Sequence, residues 1–423
     1  MKKIVSVFIA AIMIILGALP FAAFAEEPEN VETVPDAIAA APADAPSTGR
    51  KIMVYNWGQY IADGSEDSLD INAEFTRRTG IEVVYRTFDT NESLYTTLKT
   101  GGVNIDVIIP SDYMIARLIA ENMLEEIDYS NIPNYEKIGY NFKNLEFDPS
   151  NQYSVPYMWG TVGIIYNSKH VDEADAAGES WDLLWNEKYK GKILMFDNPR
   201  DSFGIASLKL GNDINATDST KLNIAADELK KQRPLIQQYV MDQIFDLMEQ
   251  EEAWIAPYYA GDFITMSESN AALKFYFPKE GFNKFVDSMC IPKGAQNKAD
   301  AEAYINFISD AEISAANSDF LGYSTPNTAA MELLDPELAQ NEIAYPSDAV
   351  LEKGQTFLNL PDETLHEMDS LWLTVKASQG TDESPNAGVP MWIWYVAIGA
   401  VAVFIIALLV ALRQKRKKAY DEI

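Results

Sequence analysis

Aromatic and acidic side chains alternate at the predicted ends of β-strands in this sequence. Carboxylates bind ammonium groups through charge-assisted hydrogen bonds, and aromatic faces attract cations by about 0.5–2 kcal/mol each while they also cover methylene groups. The set comprises Trp57, Tyr60, Ser111, Asp112, Tyr113, Asp197, Asp201, Tyr259, Asp262, Phe285 and Asp287. Arg200, which lies between Asp197 and Asp201, is the only cation that belongs to this set. A long, flexible cation with an apolar body fits this pattern.

Each of these residues also has a purely structural interpretation. A tryptophan such as Trp57 at a strand end is often a core residue, and Asp112 and Asp197 are typical of helix caps and turns. Paired carboxylates also suit glycoside hydrolysis, but no motif here fixes an acid and a base. An exported enzyme is therefore kept only as an alternative.

Composition excludes several other classes of function. The 423-residue chain has 33 Lys and Arg against 63 Asp and Glu, a net charge of -30, which repels nucleic acid. Its one cysteine, Cys290, permits no internal disulfide, and its two histidines, His170 and His366, have no ligand-like neighbours. We therefore expect no metal site, no cofactor and no Ser/His triad.

The elements that position the strand-end residues follow an α/β pattern. Apolar runs at residues 52–55, 81–85 and 106–109 predict strands, and helices are predicted at 68–79 and from an N-cap at Asn91. Buried strands that alternate with helices indicate a parallel sheet covered on both faces. Ligands bind at the carboxyl ends of such strands.

The second half of the chain repeats this pattern. Residues 153–167 are extended and aromatic, as suits a crossover between two lobes. Strands are then predicted at 192–196, 253–259 and 285–291, and a helix is predicted at 238–250. The length of the chain also favours two lobes over one compact domain.

Both termini carry targeting features. Residues 1–25 have a basic start, an apolar run and a small-x-small end, which predict a signal peptide. The Glu-, Pro- and Ala-rich residues 26–49 predict a disordered linker, and 377–390 predict a second linker. Residues 391–412 are apolar throughout and precede the basic tail 413–423, which predicts one transmembrane helix with its C-terminus in the cytoplasm.

Several motifs resemble the spermidine/putrescine-binding proteins of polyamine ABC transporters. They cover residues 50 to about 376 and keep the order of that family. The motifs are Tyr55-Asn56-Trp57 with Tyr60, Ile109-Pro110-Ser111-Asp112-Tyr113, Val155-Pro156-Tyr157-Met158-Trp159-Gly160-Thr161, Trp185-Asn186-Glu187-Lys188-Tyr189-Lys190-Gly191, Tyr259-Ala260-Gly261-Asp262, Asp287-Ser288-Met289-Cys290-Ile291-Pro292 and Gly322-Tyr323-Ser324-Thr325-Pro326-Asn327.

The resemblance implies a two-lobed, type II periplasmic-binding-protein fold, with lobe 1 at 50–156 and 290–376 and lobe 2 at 157–289. It also implies roles for individual residues. The cleft aromatics correspond to Trp57, Tyr60, Tyr113, Tyr259 and Phe285, the amine-binding carboxylates to Asp262, Asp287 and Asp201, and a polar pair to Ser111 and Asp112. Tyr259 stands where several relatives have Trp, and Asn198 stands at a position that is acidic in some, so the choice between putrescine and spermidine stays open.

The function that the resemblance implies is capture of polyamines outside the cytoplasmic membrane and delivery to the permease and ATPase subunits of an ABC transporter. No catalysis is implied. The same fold also serves sugars, thiamine and iron, and can act as a membrane-tethered sensor. The number of carboxylates favours an organic cation, whereas a cytoplasmic tail of about ten residues is too short for a signalling domain.

Overall fold

The computed structural model describes residues 45–378. The predicted signal peptide, transmembrane helix and cytoplasmic tail lie outside these residues, as does most of each predicted linker. Within residues 45–378, no helix combines the length and the apolar character that a membrane crossing requires. The predicted span at 391–412 is not among the residues that this finding covers.

The described residues form a mixed α/β fold around one extended array of strands. The strands are β1 (Lys51–Trp57), β2 (Glu82–Phe88), β3 (Val107–Ile108), β4 (Ser154–Asn167), β5 (Ile193–Phe196), β6 (Ile236–Val240), β7 (Ile255–Tyr259), β8 (Leu273–Tyr276), β9 (Phe282–Cys290) and β10 (Gly354–Gln355). Their order is β2-β1-β3-β9-β4-β7-β5-β6, with β8 paired to β4 and β10 to β9.

Parallel and antiparallel pairs are both present, so the predicted all-parallel sheet was only partly right. β1 pairs in parallel with β2 and β3, and β5 pairs in parallel with β6 and β7. Between these groups lie β9 and β4, which run antiparallel to their neighbours. All four residues of β5 are buried, as expected for a strand covered on both faces.

β4 and β9 join the two parallel groups. Residues 154–161 of β4 pair with β9, whereas its residues 162–166 pair with β7. β9 in turn pairs with β3 at Cys290. The segment predicted to be extended at 153–167 is one long strand that passes from the first group of strands to the second.

Helices cover the strands and begin at residues that position the site described below. Within residues 45–378 they are α1 (Ile71–Thr79), α2 (Asn91–Thr100), α3 (Asp112–Ala120), α4 (Glu173–Ala176), α5 (Pro199–Lys209), α6 (Ser219–Gln232), α7 (Ile244–Glu249), α8 (Ala260–Ser269), α9 (Lys298–Ile308), α10 (Ala311–Leu321), α11 (Thr328–Met331), α12 (Pro336–Ala339), α13 (Asp348–Leu351) and α14 (Asp362–Ala377).

Two local predictions were wrong. Thr90, not Asn91, is the N-cap of α2, because the Thr90 side chain accepts a hydrogen bond from the Ser93 amide. The helix predicted at 238–250 is instead strand β6 followed by the shorter helix α7. Other boundaries were close: Gly80 ends α1 with a φ of 69°, and Ser111 is the N-cap residue of α3.

The last helix, α14, packs against α5 and α6. The Trp372 ring lies 5.1 Å from the ring of Tyr239 on β6. Lys376 Nζ lies 2.9 Å from Asp197 Oδ1, at the end of β5. The chain therefore returns, after β10, to the group of strands that contains β5 and β6.

Candidate functional site

One cavity brings together all ten residues that were predicted to bind the ligand. Trp57, Tyr60, Ser111, Asp112, Tyr113, Asp201, Tyr259, Asp262, Phe285 and Asp287 all line it. The cavity encloses about 730 Å³, including the part that opens to solvent. Asp197, the eleventh strand-end residue, is not part of the lining and instead pairs with Lys376.

The turn after β1 is held rigidly by buried hydrogen bonds. Asn56 Nδ2 donates to the Tyr60 carbonyl at 3.1 Å, and Tyr157 Oη donates to the same oxygen at 2.6 Å. Trp57 Nε1 donates to the Ile109 carbonyl at 2.8 Å. The indole nitrogen thus holds the Trp57 ring in place, and Trp57 lines the cavity.

Asp287 is a buried carboxylate that contacts one of the predicted aromatic side chains directly. It is 4% exposed, and its Oδ2 accepts a hydrogen bond from Tyr60 Oη at 2.8 Å. Its Oδ1 has no partner among the described residues. Burial raises the pKa of Asp287 to about 7, although the hydroxyls of Ser111 and Tyr60 act in the opposite direction. An ammonium group from a ligand would satisfy this oxygen and favour the charged carboxylate.

Asp112 has a different environment, because backbone amides occupy both of its oxygens. Oδ1 accepts from the Tyr113 amide at 2.7 Å, and Oδ2 accepts from the Val286 amide at 3.3 Å. Burial, partly offset by the Tyr113 amide and reinforced by repulsion from Asp287, raises its pKa to about 8. Asp112 therefore ties the start of α3 to β9 and is less available to a ligand than Asp287.

Tyr113 and Arg200 form a layer behind the cavity. Tyr113 Oη donates to Glu92 Oε1 at 2.9 Å, and the Arg200 guanidinium carbon lies 5.2 Å from the centre of the Tyr113 ring. Arg200 is buried, and it is absent from the cavity lining. Arg200 thus stands behind the Tyr113 ring and does not compete for the carboxylates that line the cavity.

Asp201 and Tyr259 meet on another wall. Asp201 Oδ2 accepts hydrogen bonds from Asn198 Nδ2 at 2.8 Å and from Tyr259 Oη at 3.3 Å. Burial raises the pKa of Asp201 to about 6. The Tyr259 ring makes an edge contact with Phe285, with 5.4 Å between ring centres. Asn198 caps α5 and thereby positions Asp201 in its first turn.

Asp262 lies in the first turn of α8 and is buried. Burial raises its pKa well above the usual value, and repulsion by Asp242 adds to this effect, whereas Tyr323 lowers it. The Tyr323 ring in turn contacts the Tyr60 ring, with 4.7 Å between centres. Carboxyl groups and aromatic rings thus surround the cavity from both groups of strands.

Sequence reasoning missed several residues of the lining. Glu92, Asp242 and Tyr323 are the most informative, because each adds an acidic or phenolic group. Tyr323 stands in one of the motifs noted above, and Glu92 follows Thr90 in the first turn of α2. Asp242 follows β6, so a strand assignment for 236–240 would have placed it with the other strand-end carboxylates.

Phe285 and Asp287 reach the cavity in an unexpected way. They were predicted at the start of a strand, but β9 begins at Phe282, so both lie within it.

In the described residues, no group of three or more His, Cys, Asp or Glu side chains could hold a metal ion. The carboxyl groups and aromatic rings of the lining could bind an organic cation by ammonium–carboxylate contacts and by ring faces.

Comparison with known families gives a consistent result. A profile of the family described as bacterial extracellular solute-binding protein matches residues 104–353. The spermidine/putrescine-binding periplasmic protein of Salmonella typhimurium is 34% identical over 305 residues, which cover 72% of this chain and 85% of that protein. The putrescine-binding periplasmic protein SpuD of Pseudomonas aeruginosa is 32% identical, over 79% of this chain and 94% of that protein.

Solved structures agree with these sequence relatives. The spermidine/putrescine ABC transporter substrate-binding protein PotD of Streptococcus pneumoniae superposes with a TM-score of 0.65 and 38% identity. The match covers 78% of this chain and 99% of that chain. The mixed α/β architecture is therefore a solute-binding fold, consistent with the type II periplasmic-binding class.

Proposed function

The chain belongs to the bacterial extracellular solute-binding proteins, among the spermidine/putrescine-binding periplasmic proteins, and from this membership we propose that its cavity captures polyamines for an ABC transporter. It is a binding protein and not an enzyme, as are the relatives it matches. Its partners are accordingly the permease and ATPase subunits of a transporter. Its site of action is outside the cytoplasm, as for the periplasmic relatives.

The observation that carries this proposal is the buried carboxylate oxygen of Asp287. Asp287 lines a cavity whose other walls are aromatic rings and further carboxyl groups, and its buried Oδ1 makes no hydrogen bond among the described residues. An unpaired buried acceptor is costly, and an alkylammonium ion supplies the missing donor and charge. The methylene groups between two ammonium ions would pack on the faces of Trp57, Tyr259 and Phe285.

We assign the ten predicted residues to the binding site, with unequal roles. Asp287, Asp262 and Asp201 would pair with ammonium groups, and Trp57, Tyr60, Tyr113, Tyr259 and Phe285 would provide the aromatic walls. Ser111 and Asp112 would act mainly by shaping the end of β3 and the start of α3, because backbone amides already occupy Asp112.

Two lobes closing around the ligand would complete the site. The proposed boundary between the two lobes lies where β4 and β9 change their partner strands, near residues 156–162 and 284–290. Helix α14 packs on α5 and α6, which favours placing residues 362–377 with lobe 2 and not with the rest of 290–376. Closure would remove water from the ammonium–carboxylate pairs and so strengthen them.

We further propose that residues 391–412 anchor the protein in the cytoplasmic membrane. The apolar run and the basic tail 413–423 carry this part of the proposal. Fractionation of cells that express the full chain, compared with a chain that stops at residue 390, tests it. Recovery of both forms in the soluble extracytoplasmic fraction would contradict a membrane anchor.

The experiment for the main proposal is a thermal-shift titration of the full chain in mild detergent with putrescine, cadaverine, spermidine and spermine. A ligand at 100 times its dissociation constant adds about 2.7 kcal/mol to stability, which is several degrees in Tm. A rise with a polyamine that NaCl and lysine do not reproduce would support the proposal. No shift with any polyamine would indicate another ligand for this fold.

A further inference from the structure

Asp242 is an acidic residue of the cavity that the proposed site does not yet use. It lies in the loop between β6 and α7 and lines the cavity together with Asp262. Unlike Asp262 and Asp287, Asp242 is exposed, so it marks the mouth of the cavity and not its interior. Its carboxylate has no hydrogen-bond or ion-pair partner among the described residues.

Gly58 makes room for this carboxylate. A Cβ atom placed on Gly58 would lie 1.9 Å from Asp242 Oδ2 and 3.1 Å from Asp242 Cγ. Gly58 belongs to the turn after β1, whereas Asp242 follows β6 at the far end of the strand order. The two segments therefore meet across the mouth of the cavity, and the absence of a side chain at position 58 allows their approach.

Two further acidic residues interact electrostatically with Asp242. Asp89, at the end of β2, repels its carboxylate, and Asp242 itself repels Asp262. A cation placed at the mouth would relieve both repulsions. Asp201, Asp262 and Asp287 are buried inside the cavity, whereas Asp242 is exposed at its mouth. Asp242 is therefore available to an ammonium group that extends beyond two others bound inside.

We propose that Asp242, in the space left by Gly58, forms a mouth subsite for a third ammonium group, so that the cavity favours triammonium over diammonium cations. This inference rests on the proposed function and adds a determinant of ligand length and charge to it. A diamine held by Asp262 and Asp287 would leave the mouth subsite without a cation, whereas a triamine such as spermidine would fill it.

Calorimetry on the full chain in mild detergent, with putrescine and spermidine as probes, tests the subsite. For D242N we expect spermidine affinity to fall about three- to fivefold, the size of a partly solvated ion pair, and putrescine affinity to change by less than about twofold. D89N is the matched control, since it removes a neighbouring negative charge that does not line the cavity. It should change the ratio of the two affinities much less than D242N does.

A second variant tests the role of Gly58 without changing any charge. In G58A the new methyl group must displace the end of the Asp242 side chain, so spermidine affinity should fall as in D242N. The double variant should then lose no more than either single variant, because both remove the same contact. Additive losses would overturn the proposed link between Gly58 and Asp242.

The outcomes separate this inference from the proposed function. If the wild type binds both amines and D242N weakens both equally, or if D89N changes the ratio as much as D242N does, the mouth subsite is wrong and the proposed function stands. If the wild type binds neither amine, the proposed function itself fails, and the subsite fails with it.

Discussion

Tyr60 and Asp287 meet in the interior of the cavity, where Tyr60 Oη donates to Asp287 Oδ2 at 2.8 Å. The two residues are 227 positions apart and come from the turn after β1 and from β9. Their contact leaves the other Asp287 oxygen free of partners among the described residues. Tyr60 thus orients the carboxylate that we propose to pair with an ammonium group of the ligand.

Replacement of Asp287 by Asn should weaken polyamine binding strongly. Removal of one member of a buried charge pair costs about 2–5 kcal/mol, and the amide keeps the size of the side chain. Calorimetry with the best-bound polyamine measures the loss. Asp348→Asn, on the exposed start of α13, is the control and should bind as the wild type does. Equal affinities for the two variants would remove Asp287 from the binding site.

Polyamine affinity should rise as the pH increases from about 5 to 8. The pKa values of Asp201, Asp287 and Asp112 are raised to about 6, 7 and 8 in the empty protein. Near neutral pH, part of these carboxyl groups is therefore protonated, and a polyammonium ion must displace those protons to bind. Calorimetry in buffers of different ionisation enthalpy counts the released protons. A constant affinity over this range, with no proton release, would contradict the prediction.

The same raised pKa values predict the opposite trend for the stability of the empty protein. In the unfolded chain these aspartates have a pKa of about 3.9. The folded state therefore binds more protons than the unfolded state between about pH 3.9 and the folded pKa values. Their stabilising contribution is therefore complete below pH 4 and is lost as the pH rises towards 8. In D287N the denaturant-unfolding free energy of the empty protein should fall less between pH 5 and 8 than in the wild type. An identical fall in both proteins would show that Asp287 does not titrate in this way.

Much of the site was predicted from the expectation that ligands bind at the carboxyl ends of parallel strands. This expectation worked because several site residues do follow such strands. Trp57 ends β1, Ser111 follows β3, and Tyr259 ends β7. Asp287 and Phe285 instead lie inside the antiparallel strand β9. Side chains from the middle of β9 reach the cavity because this strand lies between the two parallel groups, which is a long-range pairing that local patterns do not specify.

Asp242 escaped prediction for a physical reason. Ile236, Val240, Ile244 and Met248 are spaced by four, which is typical of an amphipathic helix, and all four are buried. Residues 236–240 nevertheless form a strand, because they pair in parallel with β5 at the edge of the array. Pairing with β5 outweighed the local helical pattern here. The turn that carries Asp242 was therefore missed, because it lies inside the helix predicted at 238–250.

Replacement of Phe285 by Leu should weaken binding while it preserves most of the fold. Leucine keeps an apolar side chain but loses the ring face, whose attraction for a cation is worth about 0.5–2 kcal/mol. Phe282→Leu is the matched control on the same strand, because Phe282 is buried and is not part of the cavity lining. We expect a raised Kd for the Phe285 variant and mainly a lowered Tm for the Phe282 variant. The reverse pattern would assign Phe285 to the core.

Gly160→Ala should disturb the binding wall from behind. Gly160 on β4 is the cross-strand partner of Phe285, and a Cβ atom at Gly160 would lie 2.8 Å from Phe285 Cζ. The ring cannot yield easily, since Tyr259 packs against it with 5.4 Å between ring centres. Overpacking of this kind costs about 1–3 kcal/mol, so we expect both a lower Tm and a weaker affinity for polyamine. Gly178→Ala, with no atom within 4 Å of its new methyl group, should change neither. In the Phe285→Leu background the effect of Gly160→Ala should shrink, because the obstructing ring is gone, and an undiminished effect there would show that the glycine is needed for another reason.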